Sequence, residues 1–307
     1  MSGERILLTG ASGFVGRYLL HDLIARGYLV RAAGRSSISA ITGAEHVAIG
    51  DLGAPVDWQP LLDGVDHVVH SAGLAHADGD IPEERYQQVN TQATLALARA
   101  AHAAGVRRFV FLSSIRAQAG SSAPAPLSEA DAPAPTDPYG RSKLAAEQAL
   151  AETGLDWVAL RPVLVYGAGV KGNMAALLKL ARTPYPLPLA SLTGRRSLVS
   201  VESLAGAVAT VLEAPGPLRR PLVVADSEPL TLPEMLAALR AGLGRRPGLL
   251  PCPVPLIGLA CRAAGREAAF DRLSGSLVAR AEGLEALGWR PALASRDGLA
   301  ALARAEG

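Results

Sequence analysis

Residues 7–16 read Leu7-Leu8-Thr9-Gly10-Ala11-Ser12-Gly13-Phe14-Val15-Gly16, and this stretch decides the fold. A short apolar run, Arg5-Thr9, leads into it with the character of a buried strand, and the amphipathic stretch Arg17-Ala25 follows it. Three glycines stand at the join. Gly10 permits a tight turn, Gly13 keeps a side chain out of the path of a phosphate, and Gly16 lets helix pack on strand. A helix beginning at such a turn presents its positive end to an anion, so the segment predicts a seat for a dinucleotide pyrophosphate.

Outward from this turn the same unit repeats. Val30-Ala33, His67-His70, Phe109-Ser113, Trp157-Arg161 and Leu222-Ala225 are short and mostly apolar, as strands buried on both faces must be. Amphipathic stretches such as Gln88-Ala104 and Lys143-Thr153 lie between them. Repeated βαβ units predict an α/β fold with a doubly wound parallel sheet, whose strand C-termini share one ligand-binding rim. The alternation breaks after Gly167, where Thr183-Pro188 is rich in proline, and again after Pro229. These breaks predict a smaller, discontinuous lobe at 168–198 and 229–307, against a main domain at 1–167 and 199–228. The Ala-, Pro- and Ser-rich loop Ser121-Pro138 reads as a mobile flap over the site.

Composition narrows the function classes. In 307 residues, 49% hydrophobic content supports a large core, and a net charge of +2 argues against nucleic acid as the partner. The two cysteines, Cys252 and Cys261, form no metal-ligand spacing, so no metal is expected. Pro251-Ala264 is too short and too broken by proline to span a bilayer. With no secretory pattern in the opening residues, a cytoplasmic protein is expected.

Tyr139-Gly140-Arg141-Ser142-Lys143 places a phenol and an ammonium four residues apart at the start of a helix, hence on one face. A cation beside a phenol favours phenolate, which suits Tyr139 to take or give an alcohol proton.

The spacing of Gly10, Gly13 and Gly16, together with Tyr139 and Lys143, resembles the extended short-chain dehydrogenases, the group of nucleotide-sugar epimerases, dehydratases and ketoreductases, on a Rossmann-type sheet. The resemblance runs over nearly the whole chain and implies an NAD(P)-dependent enzyme. It implies that Ser12, Phe14 and Val15 complete the cofactor loop, that Lys143 binds the nicotinamide ribose, and that Ser71, Ala72 and Gly73 lie along the nicotinamide side. It further implies an adenine contact from Asp51 and Leu52, a helix-stabilising role for Asn90 and a pocket shaped by Pro162. Ser114, 25 residues before Tyr139, takes the place of the catalytic serine, with Ser113 the neighbouring alternative. Asp51 alternatively caps a helix.

At the end of the second strand, NAD-preferring members carry an acid, whereas this chain has Gly34-Arg35-Ser36. A guanidinium at Arg35, with Ser36, attracts a 2′-phosphate, so NADP is expected, with NAD the alternative. Asn173 and Arg196 match positions that hold a substrate diphosphate, and Arg272 matches a nucleotide contact. For Arg35 and Arg196 the competing reading is a solvated basic loop. Ile115-Arg116 stands where sugar dehydratases carry acids, which argues against dehydration. The leading expectation is therefore an NADPH-dependent reductase of a 4-keto nucleotide sugar, and its rival is a 4-epimerase with tightly held NAD. Reduction of a non-sugar ketone and a non-catalytic cofactor-binding sensor are the remaining readings. The resemblance implies a homodimer.

Overall fold

The computed structural model describes residues 3–36, 43–75, 81–265, 270 and 274–307. Seven parallel strands form its central sheet: β1 (Arg5–Thr9), β2 (Leu29–Gly34), β3 (Ala44–Ala48), β4 (His67–His70), β5 (Arg108–Leu112), β6 (Trp157–Pro162) and β10 (Arg220–Val224). Their order is β10-β6-β5-β4-β1-β2-β3, the doubly wound Rossmann arrangement with one further strand at an edge. Four short strands, β7 (Leu164–Tyr166), β8 (Arg195–Arg196), β9 (Leu198–Ser200) and β11 (Leu230–Thr231), pair outside it. The helices are α1 (Phe14–Ala25), α2 (Gln59–Leu62), α3 (Glu83–Tyr86), α4 (Ala93–Ala103), α5 (Pro138–Ala151), α6 (Gly172–Ala181), α7 (Val201–Glu213), α8 (Leu232–Gly242), α9 (Val254–Ala263), α10 (Glu282–Glu285) and α11 (Ser295–Glu306).

Strand periodicity divides the core into two layers, because successive side chains leave opposite faces of a sheet. Ile6, Leu8, Val110 and Leu112 point into one layer with Leu19 and Leu23 of α1 and Leu204 and Val208 of α7. Leu7, Phe109 and Phe111 point into the other, with Leu97 of α4 and Leu150 of α5. Each fully buried side chain of this size contributes about 1.5–3 kcal/mol relative to exposure, so the sheet is held from both sides.

A third core gathers Tyr166, Met174, Leu178, Leu192, Leu230, Leu236, Leu239, Leu299 and Leu302, with α8 packed against α11. The last hundred residues do not all join it. Leu277, Ala279, Ala281, Leu284 and Trp289 pack into the sheet layer shared with α1 and α7, and the Trp289 indole Nε1 donates to the Ser203 carbonyl at 3.1 Å.

From β1 the chain passes to β2 and β3 on one side, and then crosses back to β4 on the other. The loops after β1 and β4 therefore diverge and open a crevice between them, the place where such sheets bind ligands. They are in close contact at its floor: a Cβ added to Gly10, whose φ is +76°, would lie 2.6 Å from the Ala72 nitrogen.

Candidate active site

The glycine turn forms because the backbone must pass tightly between β1 and α1. A Cβ at Gly16 would stand 2.0 Å from the Gly10 carbonyl oxygen, so only glycine admits this approach of helix to strand. Gly13 is the N-cap of α1, without a side-chain cap, and no acidic residue lies in the first turn. The amide end of the helix thus stays open to an anion, which fits a pyrophosphate. Ser12 is exposed on this turn, with Phe14 and Val15 half-buried behind it.

Arg35 and Ser36 are exposed immediately beyond the C-terminus of β2. Leu52 is buried. Asp51 neither caps a helix nor stands free: both its oxygens accept from Arg85 Nη2, at 2.7 and 2.8 Å, and Oδ1 also accepts from Gly53 N at 2.7 Å. The Gly53 amide and the Arg85 guanidinium hold its carboxyl below the usual range, with a smaller pull from Arg35.

Beyond β4, Ser71, Ala72 and Gly73 form the opposite wall. Ser71 N donates to Thr9 O and Ala72 N to Thr9 Oγ1, at 3.3 and 3.2 Å. His70 is fully buried, its ring nitrogens bonded to Thr9 Oγ1 at 2.7 Å and Thr94 Oγ1 at 2.9 Å. Burial, with a contribution from Lys143, drives its pKa down to about 3, so the imidazole is neutral.

The helix expected over Gln88-Ala104 begins instead as a π-turn at Gln87–Gln92, a form that recurs at functional sites. Asn90, fully buried in it, receives Leu74 N on Oδ1 at 2.8 Å. Its Nδ2 donates to Leu74 O at 3.1 Å and Ser142 Oγ at 3.0 Å. One amide thereby ties the wall after β4 to α5.

Asp137 caps α5, accepting from Gly140 N at 2.8 Å, with Pro138 in the first turn. That cap sets the start of the helix bearing Tyr139 and Lys143. The Tyr139 phenol hydrogen-bonds Ser114, which stands at the head of a short 3₁₀ turn, Ile115–Ala117. Burial pushes Tyr139 up to about 12, opposed by the Ser114 hydrogen bond and less strongly by Arg116. The Lys143 ammonium donates to the Leu112 carbonyl at 2.8 Å and lies 4.5 Å from the Phe111 ring centre. Burial lowers Lys143 to about 8, against the pull of Glu147. A Cβ on Gly73 would stand 3.4 Å from the lysine Nζ, so this wall passes directly over the ammonium. Ser113 faces away from the crevice, donating to Glu147, which follows from the alternation of strand residues.

Pro162 ends β6 and pairs in register with Val224. Asn173 is exposed in the first turn of α6. Arg196 donates from Nη1 and Nη2 to the Ser121 carbonyl, each at 3.2 Å, which places it against the loop that leads into α5. Arg272 lies outside the described residues. Loop 121–138, expected as a mobile flap, is stitched down: Ala123 N donates to Ser276 O, Leu127 N to Val278 O and Arg280 N to Leu127 O, at 2.8 to 2.9 Å.

Residues that sequence reading did not assign complete the site. Arg116 pairs with Asp137 and so braces the cap of α5. Glu147, Arg161 and Gln118 form a buried polar group behind the lysine. Only the spacing of Glu147, one helical turn after Lys143, signals this in the sequence.

A glycine turn at the switch point, facing a hydroxyl, phenol and ammonium, defines an NAD(P)-dependent enzyme of the short-chain dehydrogenase type. The chain belongs to the NAD dependent epimerase/dehydratase family, whose model matches residues 6–225. It is 35% identical over 313 residues to a UDP-glucose 4-epimerase of Vibrio cholerae, covering 98% of this chain and 95% of that one. Among solved structures, MoeE5 in complex with UDP-glucose and NAD is 27% identical with a TM-score of 0.72, covering 98% of this chain and 97% of that one. The UDP-N-acetylglucosamine 4-epimerase of Bacillus cereus, at 21% identity and a TM-score of 0.79, covers 98% of both chains and shares the fold. Among the described residues no group of His, Cys, Asp and Glu could hold a metal, and no helix is long and apolar enough to cross a membrane.

Proposed function

We propose that this chain is a 4-epimerase of a UDP-linked hexose that uses NAD, the rival of the NADPH-dependent 4-ketoreductase expected first. The observation that carries the reading is the hydrogen bond of Tyr139 with Ser114 beside the buried Lys143, at the rim of the glycine-turn crevice. The Vibrio cholerae relative, similar over nearly all of both chains, supports epimerisation. MoeE5, solved with UDP-glucose and NAD, supports that cofactor and a UDP-sugar substrate.

Where bound, NAD would supply reversible hydride acceptance at sugar C4, the hydride being returned to the opposite face of the keto sugar. Ser114 holds the C4 oxygen. Tyr139 must be phenolate to take the hydroxyl proton as the carbonyl forms, and gives that proton back on return; in the cofactor-free chain burial keeps it protonated. Lys143 binds the nicotinamide ribose from beneath Gly73. Gly10, Gly13 and Gly16 seat the pyrophosphate, with Ser71 and Ala72 along the nicotinamide. Asn173 and Arg196 hold the substrate diphosphate, an amide and a planar guanidinium suiting that anion. The substrate lobe comprises 168–198 with 229–257 and α11, while 277–291 serves the cofactor domain. The assembly is a homodimer.

The test is turnover of UDP-galactose or UDP-glucose by the purified chain with no added reductant, alongside extraction of retained cofactor. Interconversion with retained NAD is expected. Product that forms only from a 4-keto sugar, with stoichiometric consumption of NADPH, would overturn epimerisation in favour of reduction. Sedimentation at micromolar concentration tests the dimer.

A further inference from the structure

Behind the catalytic helix lies an ion pair to which the proposed chemistry gives no part. Glu147 and Arg161 are 3% and 2% exposed. Arg161 Nε donates to both Glu147 oxygens, at 3.1 and 3.2 Å, and Ser113 Oγ donates to Oε1. Arg161 Nη1 continues to Gln118 Oε1 at 3.0 Å. The Gln118 amide then donates to the Ser128 carbonyl and to the Asp131 carbonyl, and Ala134 N donates to the Gln118 carbonyl at 2.8 Å. This chain of bonds runs from α5 through the ends of β5 and β6 into the loop over the site.

Burying two charges costs several kcal/mol, and an apolar trio would fill the same space more cheaply. What the ionic group supplies is direction, because a guanidinium that donates to both carboxylate oxygens fixes one geometry. We propose that Glu147 is a positioning residue: with Arg161 and Gln118 it holds the Lys143 helix against β5 and β6, and clamps loop 119–134 onto the same frame. Placement of the lysine and closure of the loop then depend on one node.

The surroundings of Lys143 isolate the role of Glu147. From β4 it meets neutral His70, from β5 the Phe111 ring and Leu112 carbonyl, and from the π-turn the Asn90 amide. On α5 itself Tyr139 is protonated, and Glu147, backed by Arg161, is the charge that acts on Lys143 among the described residues.

The tests use the full chain without substrate, so they stand or fall separately from the epimerase reading, which rests on turnover. Lysine side-chain NMR follows the Lys143 titration, and hydrogen exchange follows peptides across 119–134. Glu147→Gln is expected to move the Lys143 midpoint down from about 8 and to raise loop exchange several-fold. Gln118→Leu, which leaves the ion pair intact, is expected to raise loop exchange alone, and Glu147→Asp to restore most of the titration. If Glu147→Gln fails to fold with Arg161 unpaired, the double variant Glu147→Gln/Arg161→Met removes that unpaired guanidinium and is expected to reproduce both effects. Folded variants with an unchanged Lys143 midpoint and wild-type loop exchange would overturn the proposal. In turnover, a positioning role lowers kcat with little change in KM, whereas general destabilisation leaves kcat per folded molecule intact.

Discussion

At the scale of single residues, the proposed mechanism rests on the phenol and its neighbours. Tyr139→Phe removes the proton but keeps the ring against Tyr86, 6.1 Å away. The variant is expected to lose about 10²- to 10⁴-fold in kcat while retaining cofactor, read by turnover beside a cofactor-binding titration. Undiminished turnover would remove Tyr139 from the mechanism. A second residue, Asp226, accepts from Ser200 N at 3.1 Å and from the Tyr166 hydroxyl at 3.3 Å, while its Oδ1 is buried without a partner. Burial raises its carboxyl from 3.8 to about 6. Because the fold favours the protonated acid, this contribution is complete below pH 3.8 and lost as pH rises past about 6. It amounts to about 3 kcal/mol from the difference between those two values. Asp226→Asn is expected to flatten that part of the pH–stability curve, measured by urea unfolding between pH 4 and 7; an unchanged slope there would show that other groups set it.

Among the elements, α5 is where stability and chemistry meet. Asp137 both caps the helix at Gly140 N and pairs with Arg116, so Asp137→Ala removes two restraints at once. Loss of the cap costs about 1 kcal/mol, and the frayed first turn contains Tyr139. Unfolding and kcat are therefore expected to suffer together, and Asp137→Asn, which keeps a capping oxygen, should recover much of the stability. A variant with full kcat would show that the cap does not set the tyrosine. The β1 strand, the glycine turn and the start of α5 were legible in the sequence because each is a local pattern of period, breaker and cap. The π-turn at Gln87–Gln92 was not, since its geometry answers to the bonds Asn90 makes with Leu74 and Ser142, which are distant in the chain.

For the whole molecule, the C-terminal segment links the cores. Trp289 is 3% exposed and bonded to Ser203 beneath the sheet. Trp289→Ala is expected to cost about 3–5 kcal/mol, lowering the denaturant midpoint of the complete chain in one transition. A separate early transition would mean that the segment folds independently of the sheet.

The sequence by itself determined the doubly wound sheet, the anion-seating turn and the pairing of Tyr139 with Lys143 on one helix, because these follow from short-range periodicity and from glycine's freedom. Tertiary structure alone decided that Lys143 donates to the Leu112 carbonyl, that loop 121–138 is fastened to 276–280, and that 277–289 packs with the sheet. Each of those outcomes turns on which groups distant in the chain share a buried space, and that pairing is a property of the folded arrangement that no local pattern encodes.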